Sequence, residues 1–195
     1  MKFILSTLVL PLLAAAAPTP NEEAKTNPPF TVMSIRSGSP IHFLTMTASG
    51  THFYLGGKTS SYCPSEEGLV CPPGKETVLA DNGNVMDAEV AGGQQVYVGP
   101  AGALRYTEAH SASMPQGSTV GGMHYDKEKP YSYLTFKGRG TNGLMACPTK
   151  DHKHWQVFAA LEDAKVPTGN VKDCLGFEAM AITYKGKNPP VWQYE

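Results

Sequence analysis

The chain has 195 residues, of which 41% are hydrophobic and 17% are charged, and it contains 20 glycines and 16 prolines. This length suits one domain with a short tail, and so many glycines and prolines exclude a coiled coil. The net charge is −1, which argues against nucleic acid or an anionic membrane surface as a partner, since both require a basic face.

The first residues are typical of a secretory signal peptide. Lys2 precedes an apolar run that ends in four alanines at positions 14–17, and this order of segments predicts a signal peptide over residues 1–16. A transmembrane helix needs about 20 apolar residues, and this run is shorter, so no membrane association is expected. Residues 17–29 contain four prolines and are predicted to be a linker, which leaves residues 30–195 as a single β-rich domain.

Strand signals then follow one another along the domain. Three segments rich in β-branched and aromatic residues, each with a glycine-containing turn, predict hairpins at residues 41–55, 95–107 and 131–147. Further strands are predicted at residues 30–35, 154–159 and 177–184, and no sustained helical period is present. We therefore predict an all-β fold with little helix, arranged as a β-trefoil-like structure or barrel, with a β-sandwich as the alternative.

Four cysteines agree with export, because disulfides persist in oxidising compartments. They are Cys63, Cys71, Cys147 and Cys174. Four cysteines allow three pairings, of which the simplest joins Cys63 to Cys71 across a short turn-like segment and Cys147 to Cys174. A zinc site is disfavoured because no Cys-x-x-Cys pair occurs.

Two short motifs are better explained as turns than as functional sites. Residues 138–143 match the dinucleotide pattern G-x-G-x-x-G, but a strand follows them instead of the helix that pyrophosphate binding requires. Residues 151–154 (Asp-His-Lys-His) contain potential metal ligands without an identifiable third partner, and we interpret them as a polar turn. No serine elbow or distinctive pair of carboxylates occurs, so we predict no catalytic residue, no cofactor and no metal.

Trp155 and Trp192 are the candidate carbohydrate contacts. Amphipathic aromatic rings present a flat apolar face that suits a sugar ring. The alternative is that each ring belongs to the core or to its edge.

Several segments are similar to those of one known family. They are Ser34–His42, Phe53–Gly57, Tyr62–Pro64, Gly92–Val98, Gly102–Leu104 and Ala109–Ser111. These residues resemble the fungal cell wall protein PhiA family, over most of residues 30–195. The resemblance implies a secreted wall protein of a filamentous fungus, with a role in phialide and conidium development. Members are also described as IgE-binding mould allergens, and the resemblance implies no catalytic residues.

We therefore expect a secreted, non-enzymatic protein located in the cell wall and involved in wall structure. Its partners would be wall polysaccharide or other wall proteins, held by noncovalent contacts, with no nucleic acid and no membrane. The alternatives are a secreted carbohydrate-binding module, a host-directed effector and a secreted hydrolase.

Overall fold

The computed structural model of the chain describes residues 27–128 and 130–195. The predicted signal peptide at residues 1–16 and residues 17–26 of the predicted linker lie outside the described residues. The first strand begins at Phe30.

The described residues form sixteen strands and two 3-10 helices of three residues each (Asp81–Gly83 and Val171–Asp173), which confirms the all-β prediction. None of their helices is long and apolar enough to cross a membrane. The strands are β1 (Phe30–Ile35), β2 (Met46–Ser49), β3 (His52–Leu55), β4 (Ser61–Tyr62), β5 (Leu79–Ala80), β6 (Val85–Met86), β7 (Val96–Val98), β8 (Leu104–Tyr106), β9 (Thr119–Val120), β10 (Met123–Lys127), β11 (Ser132–Gly138), β12 (Thr141–Asn142), β13 (Leu144–Pro148), β14 (Trp155–Ala159), β15 (Leu175–Thr183) and β16 (Gln193–Tyr194).

Fourteen of these strands form one sheet, and β4 pairs with β16 in a second, two-stranded sheet. The main path runs β6–β5–β1–β15–β13–β14–β3–β8–β7–β9, with β2 beside β3 and with β10, β11 and β12 branching from β15. The two ends of the path do not pair, so the sheet does not close into a barrel, in contrast to the barrel-like prediction. Beside β7, β6 makes a single isolated bridge, Val85 with Gln95, and this contact does not extend into a ladder.

Two of the three predicted hairpins form as expected. β2 joins β3 through a turn at Gly50 and Thr51, and β7 joins β8 through a turn that contains Gly102. The third differs, because β11 turns back only into the two-residue β12, and β13 then pairs with β14 and β15. The described residues therefore lack the threefold hairpin repeat of a β-trefoil.

The long strand β15 connects three parts of the chain. Its residues 178–183 pair with β1, residues 179–181 pair with β11, and residues 175–177 pair with β13. The partners of β15 thus come from the beginning and the middle of the domain, so this strand fixes their relative positions.

The core contains three aromatic side chains in edge-to-face contact and one buried amide. Ring centroids lie 5.3 Å apart for Phe53 and Tyr106, and 6.3 Å apart for Tyr106 and Tyr194. Gln94 is 1% exposed, and its amide nitrogen donates to the carbonyls of Thr107 and Tyr194 at 2.9 and 3.0 Å. Its amide oxygen accepts from the Tyr194 N–H at 2.8 Å. Because these bonds satisfy the amide, they offset the cost of removing it from water, and Gln94 joins the last strand to the core.

The structure contains two disulfides, Cys63–Cys71 and Cys147–Cys174, with Cα–Cα distances of 6.0 and 4.1 Å. Cys147 is in β13 and Cys174 directly precedes β15, so this bridge reinforces two strands that are already paired. The Cys63–Cys71 bridge closes a surface loop in which Val70 is 84% exposed.

The two bridges are expected to contribute unequally to stability. From the lengths of the closed loops, removing Cys147–Cys174 by a double serine substitution should lower the free energy of unfolding by about 3.6 kcal/mol, and removing Cys63–Cys71 by about 2.6 kcal/mol. Urea unfolding of the non-reduced variants measures both values. A Cys147→Ser/Cys174→Ser variant as stable as the wild type would contradict this account.

Candidate functional site

Strand β3 has one buried side and one side that faces away from the core. Phe53 and Leu55 are fully buried, whereas His52 and Tyr54 are half-buried. Successive side chains of a strand point to opposite faces. His52 and Tyr54 therefore project from the face of the sheet that lies opposite the core.

The pairing register extends this face over the neighbouring strands, because directly paired residues share a face. Thr47 and Gln156 pair with Tyr54, Ser49 and Arg105 pair with His52, and Tyr97 pairs with Arg105. We call the resulting surface the outer face, and its members besides His52 and Tyr54 are Thr47 and Ser49 of β2, Gln156 of β14, Arg105 of β8 and Tyr97 of β7.

A cleft of about 570 Å³ opens on the outer face, and we call it the polar cleft. Side chains of β2 and β3 and the loops that follow β3 and β13 line it. The lining residues are Thr47, Ser49, Gly50, Tyr54, Gly56, Gly57, Lys58, Thr149, Lys150, Asp151 and His154.

Hydrogen bonds of Thr149 fix the loop between β13 and β14. Its hydroxyl donates to Oδ1 of Asp151 at 2.5 Å and accepts from the N–H of His154 at 3.2 Å. The same carboxylate oxygen accepts from the N–H of Lys153 at 3.2 Å. The bond from Thr149, followed by that from Lys153, holds the pKa of the Asp151 carboxyl below its usual range. Asp151 is therefore a fixed negative charge at one edge of the polar cleft.

Gly57 allows the two loops to approach each other. Its φ is +87°, and a Cβ atom at this position would lie 3.1 Å from Cδ2 of His154. An L-residue would be strained by this backbone conformation and would also crowd the imidazole. The width of the polar cleft therefore depends on the absence of a side chain at residue 57.

The polar cleft combines an aromatic ring with hydrogen-bonding groups. Burial raises the pKa of the Tyr54 phenol, so its hydroxyl is neutral and can both donate and accept. Lys58 and Lys150 are exposed at the edges and provide ammonium donors. A flat ring beside hydroxyl, ammonium and carboxylate groups can stack on a sugar ring and hydrogen-bond its hydroxyls.

The tryptophans singled out from the sequence do not line the polar cleft. Trp155 pairs with Leu55, so it lies on the core side of the sheet, where it packs half-buried against the core. Trp192 is also half-buried, and its carbonyl accepts from the N–H of Val90 at 2.9 Å. Carbohydrate contact by either tryptophan stays a prediction.

Two residues of the predicted polar turn, Asp151 and His154, do line the polar cleft. No group of three or more histidine, cysteine, aspartate or glutamate side chains arranged to hold a metal ion occurs among the described residues. Tyr54 and Arg105 were not identified from the sequence. Strict alternation over residues 52–55 would have indicated that Tyr54 faces away from the core.

The imidazole of His52 makes stability depend on pH. Burial lowers its pKa from 6.5, the charge of Arg105 lowers it further, and a hydrogen bond of 2.7 Å with the Gly50 carbonyl opposes both effects. As the pH falls below 6.5, the unfolded chain therefore binds more protons at this site than the folded protein, and the folded state loses stability.

A His52→Gln variant removes this contribution. The stability advantage of the wild type over the variant should therefore shrink as the pH is lowered from about 7 to about 5. Urea unfolding at several pH values measures this difference, with His124→Gln, a change at an exposed histidine of β10, as the control. An advantage that is constant or grows toward acid pH would contradict the assignment.

Comparison with known proteins identifies relatives over nearly the whole chain. The chain is 43% identical to an uncharacterized secreted protein of Arthroderma benhamiae over an alignment of 196 residues, gaps included, that covers 98% of this chain and 97% of that protein. It is 28% identical to the cell wall protein phiA of Aspergillus niger over 187 residues, which cover 93% of each chain. No solved structure matches the chain.

The model of the family described as PhiA-like secreted protein matches residues 30–195. These are the residues from the start of β1 to the end of β16 and beyond, so the match includes the complete sheet and the polar cleft. The comparisons confirm the predicted secretion and cell wall location. The chain belongs to the PhiA-like secreted protein family of fungal cell wall proteins.

Proposed function

We propose that this protein is a non-enzymatic component of the fungal cell wall, and that it attaches noncovalently to wall polysaccharide through the polar cleft. The observation that carries the proposal is the position of Tyr54, whose ring lies in a cleft of about 570 Å³ among polar side chains. Family membership supports the location, and the cleft supports the mode of attachment.

The dimensions and chemistry of the polar cleft suit a short stretch of a polysaccharide chain. Its volume lies within the range of about 300–1,000 Å³ that is typical of small-molecule sites. Polar groups come from both loops, with Lys58 on one side and Thr149, Lys150 and Asp151 on the other. A chain that runs between these loops would meet Tyr54 at its sugar rings and the loops at its hydroxyl groups.

The role in development is the second part of the proposal. We propose that the protein contributes to wall structure during the formation of phialides and conidia, on the basis of its resemblance to the PhiA family. Deletion of the gene should reduce the number of mature conidia, and a normal count would contradict this part.

We also propose IgE binding on the basis of the same resemblance. Binding of the purified protein by IgE in sera of mould-sensitised donors tests it.

The main test is a substitution of Tyr54 by alanine. Loss of the ring should weaken binding to insoluble wall glucan or chitin about tenfold, which corresponds to a loss of about 1.4 kcal/mol. Depletion of the protein from solution over a range of polysaccharide concentrations measures the affinity. Thermal unfolding of the variant shows whether the fold is retained.

The matched control is Tyr131→Ala. Tyr131 is 56% exposed and lies outside the polar cleft, so its loss should leave binding unchanged. The proposal would be contradicted by a wild type that binds neither polysaccharide, or by a folded Tyr54→Ala variant that binds as well as the wild type.

A further inference from the structure

A second site on the outer face is centred on Arg105. This residue of β8 is half-buried and lies opposite His52 on one side and Tyr97 on the other. The carbon of its guanidinium lies 5.9 Å from the centre of the Tyr97 ring. Its Nη2 donates to the Thr51 hydroxyl at 2.8 Å. These contacts hold the planar guanidinium in one position.

Arg105 forms no ion pair with a carboxylate within residues 27–128 and 130–195. The one ion pair in that part of the chain joins Lys137 to Asp126. The Nε atom of Arg105 is buried and has no hydrogen-bond partner there. A buried donor without a partner is costly, and the cost is larger for a charged group. The guanidinium therefore has an unused donor and a charge without an ion-pair partner in that part of the chain.

The space beside Arg105 is a pocket of about 170 Å³, which we call the Arg105 pocket. Hydroxyl-bearing residues dominate its lining together with one exposed acid, Glu108. The lining residues are Thr51, Tyr97, Arg105, Tyr106, Thr107, Glu108, Ser111, Ser113 and Pro115. A pocket of this volume accommodates one carboxylate or phosphate group with a few waters, since a water occupies about 30 Å³.

A groove connects the Arg105 pocket with the polar cleft. This groove of about 430 Å³ shares Arg105 with the pocket and Lys150 with the polar cleft, and His52 and Lys165 also line it. Four full cations, Lys58, Lys150, Lys165 and Arg105, therefore lie along one path with two acids, Asp151 and Glu108. The path has a net charge of +2, although the chain carries a net charge of −1. Segregated charge of this kind attracts anionic ligands to one face.

We propose that the Arg105 pocket binds an anionic group of a wall glycan, either the carboxylate of an acidic sugar or a phosphate on a sugar. The proposal rests on the proposed function, because the remainder of the glycan would occupy the polar cleft. A guanidinium donates two parallel hydrogen bonds to a carboxylate or a phosphate. Within the described residues Arg105 uses one N–H of Nη2 for Thr51, which leaves Nη1 and the second N–H of Nη2 for such a ligand. The hydroxyls of Ser111 and Ser113 complete the set of donors.

Binding of oligosaccharides to the full chain, measured by calorimetry, tests the proposal. The probes are a neutral β-glucan oligosaccharide, one of equal length with a glucuronic acid residue, and a phosphorylated mannose oligosaccharide. The wild type should bind at least one acidic probe about tenfold more tightly than the neutral one, and the stronger of the two identifies the anion. Equal affinity for all three would overturn the proposal.

Three variants test whether the preference for acidic over neutral oligosaccharides depends on Arg105. Arg105→Gln should abolish it while neutral binding persists, and Arg105→Lys should weaken it because the ammonium cannot form the paired bonds. Glu108→Gln should strengthen acidic binding, since it removes the acid beside the guanidinium. Retention of the full preference by a folded Arg105→Gln variant would overturn the proposal, as would weaker acidic binding by Glu108→Gln.

The matched control and the neutral probe separate this proposal from the preceding one. Lys187→Gln removes one exposed positive charge outside the three clefts, so the preference should be unchanged. A preference that Lys187→Gln abolishes would overturn the assignment to Arg105. Failure of the wild type to bind the neutral probe would contradict the proposed function, whereas neutral binding without an acidic preference contradicts only the Arg105 pocket.

Discussion

Burial of Phe53 and Leu55 is the constraint on which the outer face depends. Both side chains are 0% exposed, and the transfer of two such side chains out of water contributes several kcal/mol to folding. Because a strand alternates its side chains, this burial places His52 and Tyr54 on the opposite face. A slip of one residue in β3 would bury the histidine and expose both apolar residues. The same interaction that stabilises the core therefore presents the candidate binding residues.

The position of the outer face is maintained by contacts that are distant in sequence. β15 pairs with β1, β11 and β13, and the Cys147–Cys174 bridge reinforces the last of these contacts. On the opposite side of β3, Gln94 binds the backbone of Tyr194, whose ring is close to that of Tyr106. The short loops of the polar cleft are thus attached to strands that many partners hold in place. This arrangement is suited to a site that must be rigid before its ligand arrives.

Local features of the structure could be predicted from the sequence, and the topology could not. Alternation and β-branched residues indicated β1, β14 and β15 to within two residues, and the turn glycines indicated the hairpins β2–β3 and β7–β8. The pairing of β1 with β15 joins residues about 150 positions apart, and no local pattern encodes such a choice. The barrel-like arrangement was inferred from spacing alone, which does not show that β6 and β9, the two ends of the path, do not pair with each other.

The candidate site was missed for the same reason. Tyr54, Arg105 and Thr149 lie in separate regions of the chain, and only the strand register brings them to one face. From the sequence, Trp155 is a candidate carbohydrate contact because it is a tryptophan, but its pairing with Leu55 places it on the core side of the sheet. The net charge of −1 also concealed the path of cations on the outer face, because composition does not show where charges lie.

The central claim is that the outer face contacts wall polysaccharide. The most direct measurement is NMR of the isotope-labelled protein during titration with soluble wall glucan fragments, which reports each backbone amide. The account predicts that the largest shifts occur at Thr47, Tyr54, Gly57 and residues 149–154, all of which line the polar cleft or lie in its loops. Shifts concentrated instead at β4, β16 and Trp192, with the polar cleft unaffected, would contradict it.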